Sequence, residues 1–411
     1  MARFEASPSL RLHARYSYSR RRSALKVDLH QQASPWQYAG PLTLSIQEMD
    51  GHFTHTIQMS GEKASFELPI HSKPKKTRKR RVILVSGEEV DIDLTGAEID
   101  CIMLWLRVDP NYALLRAQAV IDQPDYGWQF QIELDKDVCG QLDAADALKK
   151  YATPNARDRL ESVILNDQFF YRVRQAAALS MADNLVLTSQ HATVQNGGVL
   201  VPVNVQPLLS IFRRLFATRT SYQMPKPNNF TNIQAYFVQQ AVVEAIARCQ
   251  AKESVEFLAN QLNYNDNSRN KFFDYNYIGH LCLQLANCLP VSPTKLALYA
   301  TSSCNSLSPG SPAACVISDI VTRLNIDLLP SPSPGFIISR FCLRAIRKLQ
   351  KSGHLPNNTE FFKPFVGFPS SKRHGSVFPD KRIEAFHCFV DSIVCSYGYE
   401  EESSINKFSG M

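Results

Sequence analysis

No stretch of this sequence is apolar for the length a membrane crossing needs; the run at residues 102–106 (IMLWL) meets Arg107 at once. The first twelve residues carry Arg3, Glu5 and Arg11 and hold no apolar core, so no secretory signal is expected. Without that route, the acceptor patterns at Asn229 and Asn357 are not expected to carry sugar. The ten cysteines are scattered, with no C-x-x-C pair and no zinc-finger spacing. Reduced, mostly buried thiols in a cytosolic or nuclear protein are expected instead. Also missing are H-E-x-x-H, G-x-S-x-G and G-x-x-x-x-G-K-[ST], the signatures of zinc peptidases, serine hydrolases and P-loop nucleotide binding. The histidines are dispersed. His52 and His55 are the nearest pair, and on a strand a spacing of three puts them on opposite faces, wrong for sharing one metal. His13, His30, His71 and His280 read as surface or boundary residues. A calcium loop counted from Asp266 fails, because Lys271 stands where glycine is needed and Tyr277 where glutamate is needed. That segment reads as a capped inter-helix loop, with Tyr264, Phe272, Phe273, Tyr275 and Tyr277 packing the helix ends. No catalytic, metal-ligating or cofactor-binding residue, and no small-molecule substrate, is therefore assigned.

Charge is present and unevenly placed. Residues 1–81 hold fifteen Lys/Arg against six Asp/Glu, whereas the remainder holds thirty against thirty-two. Much of the excess is one run, residues 73–81 (KPKKTRKRR): Lys73, Lys75, Lys76, Arg78, Lys79, Arg80 and Arg81. Such a run attracts DNA phosphates or an import receptor, or is simply a solvated loop. A second basic set, Arg340, Arg344, Arg347, Lys348 and Lys351, recurs at helical spacing opposite Ile338, Cys342 and Leu349. It reads as the basic face of an amphipathic helix, able to meet phosphates, an acidic partner surface or only water.

Up to about Pro110 the apolar period is two. Leu25–Leu29, Leu42–Ile46, Phe53–Met59, Phe66–Ile70, Val90–Leu94 and Leu104–Val108 alternate, and residues 82–85 form a continuous apolar run suited to a more buried strand. Asp50-Gly51 marks a hairpin turn. Seven or eight short strands at this spacing predict an antiparallel β-sandwich over residues 10–110, with the basic run as a loop between two strands. Beyond Pro110 the period becomes about 3.6. Thr153-Pro154 supplies an N-cap and an N1 proline. Stripes at Val138–Leu148, Leu160–Ile164, Phe170–Leu187, Ile233–Ala245, Ile317–Leu324, Ile338–Leu349 and Ile383–Val390 predict an α-helical array of short antiparallel pairs over 111–395. Residues 171–178 lie loosely on 379–386, each with an arginine followed by an alanine three positions on, which makes the array HEAT-like. Breaks are expected at 188–207 and 290–312, Pro330–Gly335 reads as a stiff spacer, and 396–411 reads as a disordered polar tail.

Longer strings carry a resemblance. Residues 40–51 (GPLTLSIQEMDG) with 55–58 (HTIQ), the basic segment from His71 followed by 87–91 (GEEVD), 104–110 (LWLRVDP), Leu115-Arg116, 128–131 (WQFQ), Asp137-Val138, Ala147-Leu148 and Thr153-Pro154 resemble the family of transcription initiation factor TFIID subunit 2. So do 170–174 (FYRVR), 228–230 (NNF), 264–267 (YNDN) with 270–272 (NKF), and 343–347 (LRAIR) with 349–351 (LQK) and Gly353-His354. The resemblance runs from about residue 12 to 395 and departs at 188–207, 290–312 and after Ser396. It implies the second β-sandwich and much of the HEAT-like superhelix of an aminopeptidase-like architecture regarded as having lost its catalytic machinery. The role implied is a non-catalytic nuclear scaffold in TFIID that supports assembly of the RNA polymerase II preinitiation complex. Its implied partners are other TBP-associated factors and core-promoter DNA or a nucleosome, met non-specifically through basic loops. The alternative is the C-terminal half of a zinc aminopeptidase whose catalytic domain is absent from this chain.

Overall fold

Alternating apolar residues build nine strands among the residues that the computed structural model describes: 10–19, 21–32, 37–73, 79–93, 103–114, 116–218, 224–267, 270–291, 312–329, 332–357, 361–362, 365 and 379–408, with the side chains of 116–118 and of residues after 394 left aside. The strands are β1 (Leu10–Ser19), β2 (Ala24–Gln32), β3 (Gly40–Glu48), β4 (His52–Met59), β5 (Lys63–Pro69), β6 (Lys79–Ile83), β7 (Glu89–Asp93), β8 (Met103–Val108) and β9 (Arg116–Asp122). By backbone contacts the chain divides into two compact units, Met1–Ser180 and Met181–Met411.

In the first unit one sheet has the order β5-β2-β1-β9 and a second has β4-β3-β8; β6 and β7 form a separate hairpin. The inward set of the first sheet, Leu12, Ala14, Leu25, Val27, Leu29 and Leu68, meets Leu42, Leu44, Ile46, Ile57, Leu106 and Val108 of the second in one core. Each fully buried leucine there contributes about 2 kcal/mol, and the period of two is what delivers them all to one side. Two strands lie outside the expected set. One is β1, whose Leu10, Leu12 and Ala14 do alternate inward. The other is β9, beyond Pro110, which pairs with β1 in parallel, so the sandwich is antiparallel everywhere except along that one edge.

Strand β8 is buried on both faces. Leu104 and Trp105 turn away from the sandwich core into a second cluster with Val82, Leu84 and Ile92 of the β6–β7 hairpin and Phe130 and Leu134 of helix α1 (Asp125–Leu134). Helices α2 (Val138–Leu148) and α3 (Pro154–Leu165) follow, capped by Asp137 and by Thr153 with Pro154 at the first helical position, as Thr153-Pro154 predicts. Arg107 of β8 ties strand to helix: it is buried, 3.5 Å from Asp135 and 2.5 Å from Asp137.

Helix α4 (Tyr171–Gln195) starts in the first unit and ends in the second. It runs eight residues past Leu187, because its last two turns are polar and carry no apolar period to be read. The second unit continues with α5 (Gln206–Phe216), α6 (Ile233–Arg248), α7 (Lys252–Asn263), α8 (Tyr275–Cys288), α9 (Pro312–Leu328), α10 (Ile337–Lys351) and α11 (Pro379–Phe408). Residues 396–408, expected as a disordered tail, continue α11.

Four of these helices form a row whose members all run the same way. Tyr236 donates to Asp274, Gln239 to the Tyr277 hydroxyl, Gln250 to the Asn287 carbonyl, and His280 bonds the Gln240 carbonyl. These partners are always 37 to 40 residues apart, so α6 and α8 are parallel. Helices α10 and α11 are joined at separations of 40 to 45. Between α8 and α10, His354 bonds the Pro290 carbonyl across 64 residues. That interval contains residues 292–311, which lie outside the described set. Row helices thus follow one another at about 40 residues from α6 to α8 and from α10 to α11, and at 64 from α8 to α10, with α7 and α9 as return helices. Antiparallel pairing, as expected, joins α7 to α8 and α9 to α10, and the packing between row helices is parallel. Glycine serves the close approach at one place: a Cβ on Gly279 of α8 would collide with the ring of Phe341 on α10.

Polar clamps set the entry to α8 and α10. The Asp274 carboxylate caps α8 through the Tyr277 amide at 3.1 Å and also accepts from Asn228 and, at 2.8 Å, from the Tyr236 hydroxyl. Burial pushes both the Asp274 carboxyl and the Tyr236 phenol above their ordinary pKa. The Asn267 side chain accepts from the Asn228 amide at 2.8 Å and from Asn270 at 2.9 Å, while Asn270 donates to the Asn228 carbonyl. The strings at 228–230, 264–267 and 270–272, far apart in the chain, therefore form one junction. Buried Asp327 does the same for α10, accepting from the Ser333 and Ser339 amides and the Ser339 hydroxyl.

Candidate interaction surfaces

The basic run begins on a pinned base. Glu48, buried at the end of β3, accepts from the amides of His71 at 2.9 Å and Ser72 at 2.7 Å. The Ser72 hydroxyl accepts from the Asp50 amide, and the His71 ring stacks on Phe53 with centroids 4.0 Å apart. His52 and His55, on opposite faces as expected, are drawn apart: His52 bonds Ser45, and His55 stacks near His71. Among the described residues no group of three or more His, Cys, Asp or Glu is placed to hold a metal.

Lys73 leaves this base exposed, and Lys75, Lys76 and Arg78 lie outside the described residues. The run does not stay a loop to its end. Lys79, Arg80 and Arg81 are the first three residues of β6, where alternation points Lys79 and Arg81 out and Arg80 in, in phase with Val82. The Arg80 side chain is only 4% exposed, its nearest carboxylate oxygen is on Asp50 at 3.7 Å, and both terminal nitrogens are buried without a hydrogen bond. Arg81 is exposed but bonds Asp91 at 3.2 Å and Glu89 at 3.3 Å on β7, which hold its pKa up. Of the run's described cations, Lys73 and Lys79 are open to solvent with no recorded acidic partner. The strand phase was readable in Arg80, Val82 and Leu84, but the charge masked it. Nor is 82–85 a doubly buried strand: Ile83 and Val85 are exposed.

The basic helix forms as predicted, with Ile338, Cys342, Leu343, Ile346 and Leu349 buried on one side of α10. Its cations do not face water alone. Arg340 lies 3.3 Å from Asp380, Arg344 pairs with Glu384, and Lys351 lies 2.6 Å from Asp391, all on α11. Arg347 is buried, donating to the Asp391 carboxylate and backbone at 2.9 Å, to Gln350 at 3.1 Å and to Asn357 at 2.8 Å. Burial raises the pKa of the Asp391 carboxyl, but the hydrogen bonds of Lys351 and Arg347 outweigh this and hold it below its ordinary value. Lys348 stays exposed. Helix α11 accordingly turns Lys381, Glu384, Ala385, Cys388 and Ser392 inward, and the residues read as its apolar stripe, Ile383, Phe386 and Val390, lie outward. In α6, likewise, Ile233 and Phe237 are partly exposed while Val238, Ala241, Val242 and Ala245 are buried.

The thiols follow expectation: Cys249, Cys282, Cys288, Cys342 and Cys388 are buried, and burial pushes Cys249, Cys288 and Cys388 up to about 12. The inter-helix loop does not. Tyr277 is fully buried, but Phe272 and Phe273 are 68% and 74% exposed rather than packed on helix ends.

Residues 7–124 match a family model described as a TAF2 Ig-like domain, and residues 125–405 match one described as TAF2-like, TPR repeats. TPR-like pairs, rather than HEAT-like ones, are thus the description the helical region carries. Transcription initiation factor TFIID subunit 2 of Gallus gallus is 33% identical over 407 residues, covering 97% of this chain and 33% of that protein. The same subunit of Drosophila melanogaster is 34% identical over 397 residues, covering 93% of this chain and 30% of that protein. The chain spans about a third of the length of the curated relatives it matches. A crystal structure of Legionella pneumophila aminopeptidase A in complex with aspartic acid covers 93% of this chain and 40% of its own at 7% identity, with a TM-score of 0.47, below what identifies a shared fold. The two family models meet end to end at the passage from β9 to α1, and together with the curated relatives they show that the chain belongs to the family of transcription initiation factor TFIID subunit 2.

Proposed function

We propose that this chain is a non-catalytic component of TFIID in the nucleus, a scaffold that supports preinitiation-complex assembly and touches promoter DNA or a nucleosome through the basic run of its sandwich. Identity of 33% across 97% of the chain to a protein named as a TFIID subunit carries the reading. A row of parallel helices on polar clamps suits a scaffold, because each repeat buries its faces only against neighbours and leaves two edges for partners. For DNA, the cations that count are those without an internal acid. Among the described residues that selects Lys73, Lys79 and, on α10, Lys348, over Arg80, Arg81 and the α10 cations paired to α11; Lys75, Lys76 and Arg78 stand between the two lysines of the run in sequence.

Replacing Lys73, Lys75, Lys76, Arg78 and Lys79 by glutamine tests this by duplex binding across a salt series. Affinity should fall for every duplex alike, and the slope of log K against log salt should lose about 0.9 for each phosphate contact removed. Unchanged affinity and slope would assign the run to another partner. Recovery of other TFIID subunits with the tagged protein tests the scaffold role separately.

A further inference from the structure

Strand β9 is an edge strand whose outer side borders a cavity. It stands last in its sheet, and among the described residues β1 is its only backbone partner. A cavity of about 360 Å³ within the first unit is lined by Ala119, Val120, Ile121 and Asp122 in succession. Successive strand residues point to opposite faces, so a space that touches all four lies along the edge of the strand. The side chains of Ala119 and Ile121 pack on the sandwich core, and these two residues therefore meet the cavity through their backbone. An unpaired edge presents a row of N–H and C=O groups, a template for another strand.

The neighbouring edge is closed by contrast. Strand β8 is also last in its sheet and borders the same cavity through Arg107 and Val108. There the Leu106 amide donates to Gln123 Oε1 at 3.0 Å, and the Tyr151 hydroxyl holds Gln123 by donating to its carbonyl at 2.7 Å. No such cap reaches residues 119–121 among the described residues. The facing wall is helix α2, through Ala147 and Asp143, and Tyr112 reaches Asp143 with its hydroxyl at 3.4 Å. Tyr112 has left-handed backbone, φ 51°, in a turn that the Asp109 carboxylate fixes through the amides of Ala113 and Leu114. A tyrosine in that region is strained, and such strain collects at binding sites. Charge does not select the occupant. Asp122 bonds Arg15 and His13, Asp146 bonds Lys149, and Arg107 is paired with Asp135 and Asp137, while exposed Asp143 and Lys150 are of opposite sign. What matches the site is a second extended backbone with an apolar side chain for the space lined by Val120, Ala147 and buried Trp128. A helix facing the edge leaves room for a single chain and excludes the sheet edge of a second folded copy.

We infer that β9 accepts an added strand: an extended, uncharged segment of a partner polypeptide that pairs with residues 119–122 and lays an apolar side chain against Val120 and Ala147. The site does not depend on the basic run or on DNA. The probe is a fluorescein-labelled nine-residue peptide, Ser-Thr-Val-Thr-Phe-Thr-Val-Thr-Ser, titrated with the full chain in an anisotropy assay. Two further versions carry N-methyl groups on either the odd or the even interior positions. Alternate amides of a strand point to opposite edges, so one version should bind as the parent does. The other should lose at least about tenfold, because it gives up two or more backbone bonds. Ala147→Phe, which fills the cavity from the α2 side and leaves β9 unaltered, should also lose about tenfold, with its thermal midpoint unchanged. The methylated pair needs no variant to fold, so the pairing is tested even if that substitution destabilises. No binding of the parent peptide, equal loss with both methylated versions, or full binding by a folded Ala147→Phe would overturn the inference. So would dimerisation in sedimentation that Val120→Arg abolishes, which would assign the edge to a second copy.

Discussion

The two basic clusters look alike as strings and are used in opposite ways. In α10, cations at helical spacing meet Asp380, Glu384 and Asp391 at matching spacing on α11, so the charge joins one repeat to the next. Among the described cations of the run at 73–81, Arg81 finds Asp91 and Glu89, Arg80 only approaches Asp50, and Lys73 and Lys79 stand open to solvent. A count of charges cannot separate these cases. What separates them is whether a later element brings carboxylates to the same face.

The contrast is sharpest at the two buried arginines. Arg347→Ala should cost roughly 3 kcal/mol in urea unfolding, because it empties a buried site and opens the bonds to the Asp391 carboxylate and backbone, Gln350 and Asn357, leaving Asp391 only Lys351. Arg80→Met should do the reverse and stabilise by about 1 kcal/mol, since a buried guanidinium with no hydrogen bond is replaced by an apolar side chain of similar volume. If Arg80→Met destabilised as much as Arg347→Ala, the Asp50 contact would be a true structural pair and the comparison would fail. A smaller effect should follow from pH. The Asp391 carboxyl is held below its ordinary value of 3.8, so its contribution is fully present above that pH and is lost as pH falls through the lowered folded value. As pH falls below 3.8, wild type should progressively lose its advantage over Asp391→Asn, as read from thermal midpoints; parallel curves would show that Asp391 does not titrate with folding.

Much of the fold was legible because burial imposes a period. Leu25, Val27 and Leu29 alternate into one core, and Ile338, Cys342 and Leu349 repeat along one helix face. Where the reading slipped, a polar group was doing what an apolar one usually does. Arg80 took an inward strand position, and in α11 Lys381, Glu384 and Ser392 took the inward face while Ile383 and Phe386 turned out. Strand β9 escaped because only its pairing with β1, more than a hundred residues earlier in the chain, identifies it.

By itself the sequence determined the succession of a β-sandwich and a helical array, the family, and the two places where basic residues gather. It did so because periodicity and long matched strings are local properties. The tertiary structure alone decided that α6, α8, α10 and α11 run parallel, that most of one basic cluster is consumed by α11, and that Phe272 and Phe273 stand exposed beside a pinned junction. Each of these depends on which side chains from distant segments meet, and a charge or a ring is spent or left over only when its neighbour is known.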